Sequence, residues 1–234
     1  MMPGVTHPLW PLFDLRLRAS SPEIGQIELR LPTQDEHLEL SAVAKAGIHP
    51  PDEMPFGIAW TDKPSPRFER EAFQHHLLQI ATWRPEDWRL LLGVWVEGRI
   101  AGVQEIGADD FAHERLVRTG SWLGRSFQGR GMGKLMRQAV LALAFDHLGA
   151  EVAESAGFLD NPQSLGVSRA VGYLDNGIGR LAPRGEPRDL QRFRMTLVEW
   201  RGRRRPTVEV EGLEGCLELF GVPATTEHRE SVTG

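Results

Sequence analysis

The sequence contains very little cysteine or tyrosine, and it has no long apolar segment. Among its 234 residues, Cys216 is the single cysteine and Tyr173 the single tyrosine. One cysteine cannot form an internal disulfide or a zinc cluster, so we expect no metal site and a cytoplasmic location. The longest apolar stretch, AVLALAF, is far shorter than the roughly 20 residues of a membrane span. The first residues show no basic segment followed by an apolar core, so no signal peptide is expected.

The chain also lacks an excess of positive charge. Its net charge is -5, with 41% hydrophobic and 25% charged residues. This balance indicates a globular protein without a general nucleic-acid or membrane partner. The sequence shows no repeat and no linker, so we expect one mixed α/β domain over residues 1–223 and a mobile tail over 224–234. Apolar strands near both ends favour a homo-oligomer, most simply a dimer.

Hydrophobic periodicity predicts how strands and helices alternate along the chain. Thr33 and Glu36 form a capping-box pattern at the start of one helix, and Glu97-Gly98 is typical of a hairpin turn. The proline-rich segment 48–67 is predicted to be an irregular loop of the kind that binds ligands. The predicted strands are 12–18, 27–31, 88–96, 99–108, 115–124, 150–159 and 189–200, and the predicted helices are 33–47, 69–87, 134–149 and 161–173.

The stretch FQGRGMGK, residues 127–134, places glycines at alternate positions between a strand and a helix. A P-loop is excluded because Gln128 and Leu135 occupy its first glycine and Ser/Thr positions. A dinucleotide-binding fingerprint is excluded because the spacing is G-x-G-x-G rather than G-x-G-x-x-G. Two interpretations stay open: a turn without a ligand, and an anion cradle formed by backbone amides at a helix start.

Residues 121–145 resemble the acyl-CoA-binding motif of the GNAT superfamily of N-acetyltransferases, Q/R-x-x-G-x-G/A, with Gln128, Gly131 and Gly133 in register. A second block, DNPQSLGVSRAVGY, is similar to the N-x-x-S…GF signature of the branch that includes ribosomal-protein N-terminal acetyltransferases. The two blocks cover roughly residues 90 to 175. The segments WPLFDLRLR and MPFGIAWTD, with the SWLG…DNPQS…GYLDNG series, further resemble a succinyl-CoA-using subgroup. This resemblance implies an α/β GNAT fold: a mixed, mainly antiparallel sheet with a splayed centre, flanked by helices.

The resemblance also implies how an acyl-CoA co-substrate, carrying acetyl or succinyl, would be held. Backbone groups near the end of one strand would bond the pantetheine arm, and the backbone amides from Gln128 to Gly133 would hold the pyrophosphate. Asn161 would either contact the cofactor or cap the following helix. The implied cofactor-binding residues are Trp122, Leu123, Gly124, Arg125, Gln128, Gly129, Arg130, Gly131, Met132, Gly133, Lys134, Asn161 and Ser164.

Acyl transfer to an amine needs a neutral amine, a polarised thioester carbonyl and a stabilised leaving thiolate. Many GNAT enzymes protonate the thiolate with a tyrosine, but this chain has Ser168 at that position, and Tyr173 is expected to pack. Ser164 is therefore the candidate for stabilising the thiolate, and Glu105 is the first candidate base. The further candidate bases are Asp109, Asp110, Glu114 and Glu154.

The sequence thus predicts an N-acyltransferase that moves an acyl group to a primary amine by direct attack in a ternary complex. The acceptor stays open between a small amine, a lysine and a protein N-terminus. Two alternatives remain: a catalytically silent acyl-CoA sensor, which the missing tyrosine favours, and a nucleotide-binding module.

Overall fold

A computed structural model describes residues 7–222, so the predicted tail over 224–234 lies outside the described residues. Within them the chain forms one nine-stranded sheet with strand order β7-β8-β6-β5-β4-β3-β2-β1-β9. The strands are β1 (Arg16–Ser21), β2 (Gly25–Arg30), β3 (Asp87–Val96), β4 (Arg99–Asp109), β5 (Leu116–Leu123), β6 (Val152–Phe158), β7 (Leu174–Leu181), β8 (Arg188–Thr196) and β9 (Thr207–Glu211).

Helices cover both faces of this sheet. On one face α1 (Glu36–Lys45) packs on β4 and α2 (Arg67–Ala81) on β3. On the other face α4 (Met132–Ala142) packs on β1, β4 and β5, while α5 (Pro162–Val171) packs on β6. In residues 7–222 no helix combines the length and apolarity that crossing a bilayer requires. The α-helices are α1 (Glu36–Lys45), α2 (Arg67–Ala81), α3 (Phe111–Glu114), α4 (Met132–Ala142, extended by a π-helical turn Leu143–Leu148), α5 (Pro162–Val171) and α6 (Leu197–Arg201).

Local sequence signals explain several of these boundaries. Glu97 and Gly98 both have positive φ, 50° and 74°, as a two-residue turn between twisted antiparallel strands requires. The Thr33 hydroxyl accepts from the Glu36 amide, and the Glu36 carboxylate accepts from the Thr33 amide. The predicted hairpin and capping box are therefore confirmed. α4 and its π turn end at Gly149, whose φ is +78°.

Other boundaries differ from the predictions. Residues 11–13 form a 3-10 turn that begins at a proline, so β1 starts later than predicted. The predicted strand 189–200 ends at Thr196, because Thr196 and Glu199 form a second capping box and begin α6. Strands β7 and β9 were not predicted. β7 is an exposed edge strand with two glycines, and β9 has only five residues, so neither carries a strong periodic pattern.

Candidate active site

β5 and β6 are the one parallel pair in the described sheet, and they separate after a short ladder. Residues 116–118 pair with residues 152–154. Beyond Arg118, β5 continues along β4, whereas β6 continues along β8. The strands therefore leave a wedge-shaped opening, which is the splayed centre expected from the sequence. α4 follows the end of β5 and α5 follows the end of β6, so both helix N-termini lie near the open end.

The glycine stretch forms the loop between β5 and α4. Gly129 and Gly131 have φ of +74° and +79°, a left-handed backbone that side chains with a Cβ rarely adopt. Gly131 is the N-cap of α4 and no side chain caps this helix start. Among residues 7–222 the amides from Gly129 to Gly133 donate to no protein carbonyl. Free amides at the positive end of a helix dipole can bind an anion.

Gln128 and Gly133 have structural roles in this loop. The Gln128 side-chain amide donates to the carbonyls of Ile48 and Leu123, at 2.8 and 2.7 Å. The Gln128 backbone amide donates to the Arg125 carbonyl, so the free amides begin one residue later than expected. A Cβ on Gly133 would lie 3.3 Å from the Val167 side chain. This glycine therefore lets α4 and α5 pack closely.

Three exposed cations surround the loop: Arg125, Arg130 and Lys134. Arg125 donates its amide to the Gly47 carbonyl, which fixes the loop against the end of α1. Leu123 and Gly124 are buried and Trp122 is partly exposed at the end of β5, and the Gly124 amide donates to Ala101.

The start of α5 places two polar residues beside β6. The Asn161 side chain accepts from the Ser164 amide at 3.1 Å, so it caps α5, one of its two predicted roles. The Ser164 hydroxyl lies against Gly157 of β6, where a Cβ would approach it to 2.9 Å. Ser168, one turn later on α5, is buried, and its hydroxyl has no partner in the described chain.

A cavity of about 700 Å³ opens on the opposite face of the sheet, between α1, α2, the 48–67 loop and strands β3, β4 and β5. Its walls are mostly apolar and aromatic. Trp60 of the loop stacks on Phe68 of α2 at 5.4 Å between ring centroids and lies 5.9 Å from the Trp122 ring. The apolar lining residues are Leu40, Ala44, Phe56, Ile58, Trp60, Phe68, Ala72, Phe73, Leu78, Leu91, Val103 and Trp122.

Glu105 lies in the wall of this cavity, directly opposite Gly120 in the β4–β5 register. Burial raises the pKa of the Glu105 carboxyl above its ordinary value, and the charges of His75 and Arg89 oppose this rise. A Cβ on Gly120 would lie 3.4 Å from Glu105 Oε2, so the glycine leaves room beside the carboxylate. A raised pKa makes Glu105 a stronger base than an exposed carboxylate.

None of the other carboxylates considered as bases lines the cavity. Asp109 is ion-paired with Arg89 and Arg118, and Glu154 lies 3.6 Å from Arg118. The remaining two, Asp110 and Glu114, are exposed residues at α3.

The cavity also contains neutral imidazoles. His37 and His76 pack edge to face at 4.7 Å. The pKa of His76 is lowered to about 3, mainly by burial and to a smaller extent by the nearby His37 and His75. Between residues 7 and 222 no group of His, Cys, Asp and Glu side chains could hold a metal ion.

Comparisons with known proteins agree with this geometry. The family model described as "Acetyltransferase (GNAT) domain" matches residues 26–174. The chain belongs to the GNAT acetyltransferases. It is therefore a GNAT-type N-acyltransferase, and acyl-CoA is its co-substrate.

Solved GNAT structures share the fold. Mycobacterium smegmatis RimJ, in complex with CoA-disulfide, has a TM-score of 0.65 at 19% identity, with 80% of this chain and 88% of RimJ covered. RimL, a ribosomal L7/L12 alpha-N-protein acetyltransferase in complex with coenzyme A, has a TM-score of 0.57 at 18% identity, with 73% of this chain and 93% of RimL covered. A spermidine N-acetyltransferase (SpeG) chimera from Vibrio cholerae and hSSAT has a TM-score of 0.59 at 14% identity, with 76% of this chain and 99% of the chimera covered.

Two buried residues of this GNAT domain were not identified as functional candidates from the sequence. Tyr173, predicted to pack, is 3% exposed, and its hydroxyl lies 3.1 Å from the Thr119 hydroxyl. Arg137 interrupts the apolar run of α4, and it is buried between β5 and β6. A lone arginine inside an apolar helical pattern was the signal that could have identified it.

Proposed function

We propose that this chain transfers the acyl group of acyl-CoA to a primary amine seated in the aromatic cavity. The amine nitrogen attacks the thioester carbonyl carbon directly in a ternary complex. A C–N bond forms, the C–S bond breaks with its electron pair on sulfur, and the amine proton passes to Glu105, directly or through water. Ser164 is proposed to donate a hydrogen bond toward the sulfur. The amides of residues 129–133 and the cations Arg125, Arg130 and Lys134 are proposed to hold the pyrophosphate.

The observation that carries this proposal is the position of Glu105. It lies in the cavity wall, and the same strand pair, β4–β5, borders the opening between β5 and β6. Its partner in the register, Gly120, is two residues before Trp122, where the pantetheine arm is expected to bind. A base at this position lies between the two substrate sites.

The lining of the cavity supports a particular class of acceptor. The other carboxylate in its wall, Glu71, is ion-paired with Lys63 and Arg67. Glu105 is therefore the carboxylate of the wall that forms no ion pair within the part of the chain the structure describes. A polyamine carries several positive charges that need several carboxylates. One carboxylate and many aromatic rings fit an amine with a single cationic group and an apolar body. We propose such monoamines, or peptides with an apolar N-terminal residue, as acceptors.

The lining also supports acetyl over succinyl as the transferred group. A succinyl carboxylate would need a cation or several hydrogen-bond donors. Among residues 7–222, Lys63 is the one lysine or arginine of the cavity wall, and Glu71 already neutralises it.

Steady-state kinetics test the proposal. CoA release is measured with acetyl-CoA and succinyl-CoA against phenethylamine, spermidine and a peptide with an apolar N-terminal residue. We expect the highest kcat/KM with acetyl-CoA and phenethylamine, and intersecting initial-velocity lines. Removing a general base costs roughly 100-fold or more, so Glu105→Gln is expected to lower kcat by about that factor.

Glu114→Gln is the matched control, because it changes an exposed carboxylate outside the cavity. It should leave kcat unchanged. Equal effects of the two variants would refute the role of Glu105, and tight CoA binding without turnover on any amine would support a sensor. A preference for spermidine would contradict the acceptor class.

A further inference from the structure

Arg137 of α4 carries a buried charge that has no acidic partner among residues 7–222. The residue is 4% exposed. Its guanidinium donates to the hydroxyl of Ser155 at 2.9 Å and to that of Ser121 at 3.0 Å. Its Nε has no hydrogen-bond partner, and no ion pair within residues 7–222 involves it. A buried cation is costly unless it is paired or bound by polar groups, so its position here calls for a function.

The two hydroxyls place this charge at the narrow end of the opening. Ser121 belongs to β5 and Ser155 to β6. Both follow the last paired residues of these strands, Arg118 and Glu154. The guanidinium therefore connects the two strands just where they begin to separate.

Each hydroxyl can act toward a ligand in the opening. Ser121 accepts from Arg137, and its own proton has no protein acceptor among residues 7–222. Ser121 is partly exposed. A hydroxyl that accepts from a guanidinium becomes a stronger donor through its own proton, because hydrogen bonds in a chain polarise one another. Ser155 also accepts from Arg137, and among residues 7–222 its own proton is donated only over a long distance, 3.5 Å, to the Thr119 carbonyl.

The charge is protected from solvent and stays positive. Although burial lowers the pKa of Arg137, a guanidinium is not deprotonated near neutral pH. The titratable group next to Arg137 on the same side of the sheet is the Tyr173 hydroxyl: burial raises its pKa, and the neighbouring Arg137 charge opposes this rise. Arg118 and Glu154 pair with each other, and they are more exposed than Arg137.

We propose that Arg137, acting through the Ser121 and Ser155 hydroxyls, stabilises the CoA thiolate that leaves when the C–S bond breaks. It is a positioning residue and takes over part of the charge stabilisation that the tyrosine of many GNAT enzymes supplies by protonation. The proposal rests on the proposed function, because the sulfur must lie in this opening. No proton transfer from Arg137 is involved: the electron pair of the broken bond stays on sulfur.

Titration of CoA bound to the full-length protein tests this without turnover. The ultraviolet absorbance of the thiolate gives the pKa of the bound thiol in wild type, Arg137→Met and Arg137→Lys. We expect the bound thiol to be more acidic than free CoA in wild type. Loss of a nearby buried cation should raise its pKa by about one unit or more in Arg137→Met, and lysine should restore part of the difference.

Kinetics and single-hydroxyl variants extend the test. Arg137→Met is expected to lower kcat by roughly 10- to 100-fold with little change in the dissociation constant for CoA. Ser121→Ala, which keeps the buried charge, should shift the thiol pKa in the same direction by less. Arg118→Met is the matched control, and it should leave the thiol pKa unchanged because its charge is solvent-screened.

The outcomes separate this inference from the proposed function. If wild type binds no CoA, the proposed function fails. If CoA binds but its thiol pKa is the same in wild type, Arg137→Met and Ser121→Ala, the inference is overturned and Arg137 only joins β5 to β6. If Arg137→Met does not fold, Ser121→Ala decides alone: an unchanged pKa and kcat refute the inference.

Discussion

The two sides of β5 are built in different ways. The glycine loop is a contiguous segment that presents its own backbone amides. The cavity on the other face is assembled from side chains of α1, α2, a long loop and three strands. The first depends on backbone conformation at a few glycines, and the second depends on packing between elements far apart in the sequence. A contiguous site can therefore be read from a motif, whereas a dispersed site becomes visible only after folding.

The largest expected effect is on CoA binding by the glycine loop. Gly131→Val places a β-branched residue at a φ of +79°, which costs about 1–3 kcal/mol and turns the amides away. Loss of two charge-assisted hydrogen bonds, each worth about 1.5–3 kcal/mol, predicts that CoA binds at least roughly 100-fold more weakly. Isothermal titration calorimetry measures the dissociation constant for CoA in the two proteins.

Gly149→Val is the control for Gly131→Val. Gly149 has nearly the same φ, +78°, and a Cβ placed there would meet open space. It lies at the C-terminal end of the π turn that extends α4, far along the helix from Gly131. This variant should lose similar stability but keep its affinity for CoA. Equal losses of affinity in both variants would show that strain, rather than the amides, explains the effect.

A smaller effect tests the cavity side. Trp60→Ala removes a ring that stacks on Phe68 and contacts Trp122. We expect KM for phenethylamine to rise about tenfold, equivalent to 1.4 kcal/mol, with KM for acetyl-CoA unchanged. Trp10→Ala, which removes a ring packed on Trp83 outside the cavity, should change neither KM. A rise in both constants for Trp60→Ala would show that the two sides are not separate.

The smallest effect concerns stability and pH. Because burial raises the pKa of Glu105 in the folded protein, ionisation at neutral pH opposes folding. Glu105→Gln removes this cost and should raise Tm near pH 7 by about 2 °C. The difference should disappear as pH falls below the unfolded-state pKa of about 4.3, where the wild-type carboxyl is protonated in both states. Thermal melts across this range measure it, and an unchanged Tm at pH 7 would contradict a buried carboxylate.

Much of the fold was predictable because its signals are local. The turn at Glu97-Gly98, the capping box at Thr33 and the helix stop at Gly149 each depend on neighbouring residues. β7 was missed because an exposed edge strand has little alternation, and α6 because a short capping box lies inside an apparently continuous strand. Asn161 shows the limit of a motif: both of its predicted roles fit the sequence, and the contact with the Ser164 amide shows that it caps α5.

The sequence by itself determined the family and indicated the proposed anion cradle, because both depend on glycine spacing and a helix start within one segment. Only the tertiary structure separated Glu105 from four other carboxylates, since burial and ion pairing depend on distant neighbours. The same holds for Arg137, whose bonds to Ser121 and Ser155 join strands that diverge only in the folded sheet. Backbone conformation is a local property of the chain, whereas desolvation and charge pairing are properties of its packing.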